Sequence, residues 1–218
     1  MNAIKICGLT SPGAVMAAAD AGATHGGFVF FAKSPRNLAH DQARALAAIT
    51  PPSLKRVILV VDADDAAIAA AVDAVNPGFI QLHGRETPAR VADIRKRFGL
   101  PVIKVAGVAG PDDITTFLRD HEANADWLMF DAKPPKGSDR PGGLGESFDW
   151  RLLSGLKIAK PWFLAGGLSP ANVADAIAQS GAHAVDASTS LESAPGQKDE
   201  TLIAGFVASA RRAFEARA

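Results

Sequence analysis

The sequence has a single cysteine, Cys7, among its 218 residues, so no internal disulfide can form. It also has no net charge, because 23 Lys and Arg balance 23 Asp and Glu. Without a basic excess or stripe, the electrostatic footprint of a nucleic-acid binder is missing, and small-molecule partners are expected instead. No uncharged apolar run is long enough to span a bilayer, and no basic-then-apolar segment opens the sequence, so neither a membrane partner nor an export signal is expected. A reducing, cytoplasmic setting is the expectation. His25, His40, His121 and His183 lack partners at metal-ligand spacing, so no metal is expected and no chemistry falls to them.

What the chain does have is one alternation repeated along its length. The opening stretch MNAIKICGLT (Met1 to Thr10) reads as a strand that Gly8 breaks, and Ser11-Pro12 then opens an alanine-rich helix that Gly22 stops. Further strands are expected at 26–31, 56–61, 79–83, 102–106, 127–131, 162–166 and 183–188. Helices are expected over 40–49, 65–75, 87–97, 112–121 and 170–179, with a short one from about Asp149 and a closing one from about Glu200. Near-continuous apolar strands separated by amphipathic helices indicate a parallel sheet covered by helices. Eight such units over 1–218, with no shift of composition, predict an α/β fold: one (β/α)8 barrel domain. An open doubly wound sheet is the alternative, and it would want a glycine-rich phosphate fingerprint after the first strand. Cys7-Gly8-Leu9-Thr10 is not one.

In such a barrel the functional residues lie where the strands end. Those ends carry Cys7, then Ser34-Pro35-Arg36, Gln81 and His83, Asp131, Gly166-Gly167, and Asp186 with Ser188. Strand alternation sends Lys5 and Cys7 to one face and Ile4 and Ile6 to the other. A neighbouring cation favours a thiolate, although a lone cysteine also reads as a small core hydrophobe. Gly166 and Gly167 precede an expected helix, where bare amides can approach an anion, and the hydroxyls of Ser188 and Thr189 lie in the adjacent loop. A phosphorylated small molecule is therefore the expected substrate. The long loop Ala132 to Ser147, with Gly142, Gly143 and Gly145, reads as a lid or binding wall.

Taken together, KICGLT, SPRN, QLHG, FDAKPP, RPGGLGESFDW, LAGGLSPANV and VDASTSLESAPGQKD resemble the phosphoribosylanthranilate isomerase family of tryptophan biosynthesis, in order and over nearly the whole chain. That resemblance implies an Amadori rearrangement without metal or organic cofactor. It makes Asp131 the acid that protonates the ribose ring oxygen and Cys7 the base that takes the proton from the adjacent carbon. An ordinary carboxyl with pKa ~3.9 is about one part in a thousand protonated at pH 7, and an ordinary thiol near ~8.5 is only a few per cent ionised, so the site has to shift both. Lys5 is expected either to lower the thiol's pKa or to form an ion pair with Asp131 or Asp186. Arg36 is expected to hold the anthranilate carboxylate through its planar fork. Gln81, His83, Gly143 and Asp186 complete the expected binding set, with His83 a wall residue. Monomer and homodimer are both open.

Two departures from the family pattern stand out. Leu144 replaces a threonine in the lid, and Ser190 replaces a glycine after the eighth strand, which would cost of order 1 kcal/mol if that position needs a positive φ. Two rival functions are a related isomerase of the histidine pathway, which relies on aspartates at both the first and later strand ends and against which Cys7 argues, and a non-catalytic barrel that only binds phosphosugars.

Overall fold

The computed structural model describes residues 2–135, 137–138 and 141–217, so Met1 of the opening stretch and Arg140 of the lid motif lie outside the described residues. The first strand, β1 (Ala3–Cys7), is buried along its whole length and runs into α1 (Pro12–Ala21). Ser11 starts that helix by accepting from the Ala14 amide, and Gly22 ends it in the left-handed conformation. The alternation then repeats: β2 (His25–Phe30), α2 (His40–Ile49), β3 (Lys55–Val60), α3 (Asp65–Val75), β4 (Phe79–Leu82) and α4 (Pro88–Phe98). It continues through β5 (Val102–Val108), α5 (Pro111–His121), β6 (Trp127–Ala132), β7 (Trp162–Leu164), α6 (Val173–Ser180), β8 (Ala184–Ala187) and α7 (Glu200–Glu215).

The eight strands pair in parallel in chain order, and β8 pairs with β1 to close the barrel, with Lys5 opposite Asp186. Ile4 and Ile6 face outward into the large apolar layer beneath the helices, while Ala3, Lys5 and Cys7 face inward. Three strands share one inward layering. Ala3, Phe79 and Ala184 belong to the apolar floor; Lys5, Gln81 and Asp186 form a buried polar tier above it; Cys7, His83 and Ser188 stand at the rim. The period of two along each strand produces these tiers directly.

The sequence pattern and the structure part company in three places. The helix expected from Asp149 is a four-residue 3-10 turn, Trp150–Leu153, which places Leu153 in the core. The helix expected from Pro170 begins only at Val173, because the Asn172 side chain accepts from the Ser169 amide and donates to the Gly167 carbonyl, closing a turn first. After β8, where the sequence pattern shows only a loop, β9 (Glu192–Ala194) and β10 (Gln197–Lys198) form a small antiparallel hairpin. No helix among the described residues is long and apolar enough to cross a membrane.

Candidate active site

One cavity of about 880 Å³, its open mouth included, sits at the C-terminal end of the barrel. Its wall carries Cys7 from β1, Arg36 after β2, Gln81 and His83 on and after β4, and Asp131 on β6. The loop glycines Gly142 and Gly143, the pair Gly166-Gly167 after β7, and Asp186, Ser188 and Thr189 on and after β8 complete it. Eleven of the twelve residues singled out from the sequence meet on this wall. Lys5 does not: its side chain is fully buried, with the ammonium turned to Asp186.

Lys5 is instead the support under the thiol. Its Nζ lies 2.8 Å from Asp186 Oδ1. Burial opposes its charge, but Asp186 and Cys7 outweigh that and hold the ammonium above the usual lysine range. Gly27 on β2 makes room for this packing, since a Cβ there would lie 3.0 Å from Cys7 Sγ and 3.3 Å from Lys5 Nζ. Burial pushes the Cys7 thiol up; Lys5 and Lys198 oppose this, and Asp186 reinforces it. The expected lowering by Lys5 is therefore present but loses to desolvation.

Across the cavity, Asp131 Oδ1 accepts from the Ala132 amide at 2.8 Å. Its other oxygen, Oδ2, lies 3.3 Å from His83 Nε2, and among the described residues that nitrogen makes no hydrogen bond. Gln81 Nε2 reaches His83 Nδ1 at 3.3 Å, which fixes the ring's other edge and makes His83 a wall around the carboxyl. Gly142 closes over this pair: a Cβ there would lie 2.7 Å from His83 Nε2 and 2.8 Å from Asp131 Oδ2.

Gly166 and Gly167 have φ of +84° and +65°, which only glycine adopts without cost. They lie against Ala132 and the backbone of residues 145–146, where no side chain would fit. The loop after β8 faces them. There the Ser190 hydroxyl donates to the Leu168 carbonyl and so ties the two loops together. Ser190 is not among the non-glycine residues with positive φ, so the strain considered from the sequence is absent.

Arg36 departs from its expected geometry. Its fork is already taken: Nε and Nη2 donate to the two Glu192 oxygens at 2.6 and 2.8 Å. Nη2 also donates to Thr189 Oγ1 at 3.0 Å, and Thr189 donates to the Gly143 carbonyl at 2.8 Å. Lys198 Nζ grips the same Glu192 at 2.6 Å, with its side chain fully buried. Burial opposes the Glu192 charge, but Arg36 and Lys198 more than offset it and hold the carboxyl below the usual range. Sequence reasoning misses Glu192 and Lys198 as site residues because charges in a glycine-containing loop read as solvated; no local pattern marks them as buried.

A closed (β/α)8 barrel with a thiol and a carboxyl facing one glycine-cradled cavity defines an acid–base enzyme for a phosphorylated small molecule. The comparisons with known proteins narrow this further. The family model for N-(5'phosphoribosyl)anthranilate (PRA) isomerase matches residues 4–209. The N-(5'-phosphoribosyl)anthranilate isomerase of Paracoccus denitrificans is 53% identical over 207 residues, covering 95% of this chain and 96% of that one. Phosphoribosyl anthranilate isomerase from Thermotoga maritima superposes with a TM-score of 0.87 at 33% identity, over 97% of this chain and all of that one. Another such isomerase, solved with reduced 1-(o-carboxyphenylamino)-1-deoxyribulose 5-phosphate, superposes at 0.84 with 30% identity, over 97% of this chain and all of that one. The chain belongs to the N-(5'-phosphoribosyl)anthranilate isomerase family.

Proposed function

We propose that Cys7 and Asp131 are the base and acid of the reaction this chain performs, the Amadori rearrangement of N-(5'-phosphoribosyl)anthranilate to 1-(2-carboxyphenylamino)-1-deoxyribulose 5-phosphate in tryptophan biosynthesis. The observation that carries this assignment is their placement on opposite walls of one cavity, beside the Gly166-Gly167 cradle. The phosphate sits on that cradle and the loop after β8, which puts the ribose between sulfur and carboxyl. Asp131 gives its proton to the ring oxygen; the ring opens, and the anomeric carbon becomes an iminium conjugated to the anthranilate nitrogen. Cys7, as thiolate, takes the proton from the adjacent carbon, leaving an enolamine that tautomerises to the ketose. Arg36 receives the anthranilate carboxylate.

Loss of the substrate's fluorescence follows the reaction directly. Cys7→Ala and Asp131→Asn should each lower kcat by about 10²- to 10⁴-fold, the range for one acid–base group. Wild-type activity with no loss in either variant would overturn the assignment. Absence of turnover in all three proteins would point to a barrel that only binds.

A further inference from the structure

The residues beside Arg36 are arranged as a mount. Glu192 meets Nε and Nη2 edge-on at 2.6 and 2.8 Å, a bidentate match that leaves the guanidinium one orientation. Among the described residues the remaining nitrogen, Nη1, makes no hydrogen bond, and Gly143 of the lid lies over it: a Cβ there would come within 2.8 Å. Glu192 is held in turn from its far side. Lys198 Nζ donates to Oε1 at 2.6 Å and to the Ser188 carbonyl at 3.0 Å, and the Gly196 amide donates to Oε2 at 3.1 Å. The Glu192 and Lys198 side chains are 4% and 0% exposed, so neither is a surface charge that solvent could replace.

Among the described residues two cations, Arg36 and Lys198, surround one anion, Glu192, so the cluster keeps one net positive charge after its internal pairing, and that charge faces the cavity through Arg36. A buried cluster of this kind attracts one carboxylate and is neutralised by it.

We propose that Glu192, clamped by Lys198, is a positioning residue that orients Arg36 so that Nη1, rather than the guanidinium's bidentate edge, meets the anthranilate carboxylate. The inference rests on the reading of Arg36 as the carboxylate anchor and adds how that anchor is aimed. The carboxylate is held end-on, under the lid backbone at Gly143. Selectivity for a carboxylated aryl group then depends on two residues that do not touch it.

The test uses two ligands of the full chain: reduced 1-(o-carboxyphenylamino)-1-deoxyribulose 5-phosphate, and the same molecule without its carboxyl. Titration calorimetry measures both against wild type, Glu192→Gln, Glu192→Asp and Arg36→Met. Glu192→Gln should weaken the carboxylated ligand about tenfold, the loss of one charge-assisted bond, and leave the other ligand unchanged. In turnover it should raise KM with little change in kcat. Glu192→Asp keeps the charge at shorter reach and should restore part of the discrimination, and it serves if Glu192→Gln does not fold. Equal weakening of both ligands would make Glu192 a structural residue only, and tighter carboxylate binding in Glu192→Gln would show a competitor rather than a mount; either overturns the proposal. If Arg36→Met leaves the discrimination intact, the anchor reading itself fails, and the proposal with it.

Discussion

Lys5 and Asp186 lie opposite each other in the β1–β8 pairing, and their ion pair, 2.8 Å long, sits directly under the Cys7 side chain, with Lys5 fully buried and Asp186 reaching the cavity wall. The cation of this pair lowers the thiol's pKa while its anion raises it, and burial dominates both. Alkylation of Cys7 should therefore be slow at neutral pH and rise only above the ordinary thiol range. Lys5→Met removes the opposing cation and leaves Asp186 beside the sulfur, so the thiol's pKa should climb further. Each unit of climb cuts the thiolate fraction about tenfold at neutral pH. The rate of iodoacetamide labelling against pH reads this, and an unchanged profile in Lys5→Met would remove lysine from the account.

Gly142→Ala tests how closely the lid meets Asp131, the proposed acid. The added methyl would press on His83 Nε2 and Asp131 Oδ2, at 2.7 and 2.8 Å. Displacing a reacting group by about 1 Å costs of order 10²-fold in rate. The variant should lose kcat on that scale with a melting temperature close to wild type.

Gly166→Ala carries both a backbone and a packing penalty. Its φ of +84° disfavours a side chain by about 1–2 kcal/mol, and the new Cβ would lie 2.8 Å from the Ala132 amide nitrogen. Urea denaturation should show a loss of at least that size. If these amides form the phosphate cradle proposed above, affinity for the reduced product should fall by a similar factor whether or not the ligand carries its carboxyl, which lies at the other end of the molecule.

Ser190→Gly should not stabilise the protein, although it restores the family residue. The backbone there is not in the left-handed region, so there is no strain to relieve. The change deletes the hydroxyl's bond to the Leu168 carbonyl and loosens the unfolded chain. A loss of about 1 kcal/mol by chemical denaturation is expected.

His25 makes stability depend on acid. Burial, with Lys55 and Lys5 adding to it, brings its pKa from 6.5 down to about 3. Its ring packs among Phe79, Trp127 and Phe163, and Nε2 has no hydrogen-bond partner among the described residues. Between those two pH values the unfolded chain binds the proton and the folded one does not. Stability is therefore fully present above about pH 6.5 and is lost as pH falls toward 3, by up to about 1.4 kcal/mol per unit. His25→Phe should flatten that part of the profile of unfolding free energy against pH.

Most of the scaffold was legible because its signals are local. The N-cap at Ser11, the stop at Gly22 and the alternation of Ile4, Lys5, Ile6 and Cys7 each depend on a few adjacent residues, and each appears in the structure. The rim residues followed from knowing that strand ends carry the site. The account of Arg36 did not, because its partner Glu192 lies 156 positions away, and a fork aimed at a ligand looks the same in sequence as one already filled. The balance at Cys7 was hidden for a related reason: the adjacent Lys5 is visible, but the depth of burial that outweighs it is a property of the whole barrel. The hairpin after β8 was hidden in a short polar stretch with no apolar alternation.

The pairing of β8 with β1 joins residues from opposite ends of the chain, and Lys5 and Asp186 are 181 positions apart. A seam between such distant segments is slow to form, because its loop-closure entropy has to be met before the neighbouring strands reward it. The support beneath the sulfur thus comes into being only when the cylinder shuts, so an intermediate with most of its helices in place would still be chemically inert, and recovery of turnover during refolding would date the final closure.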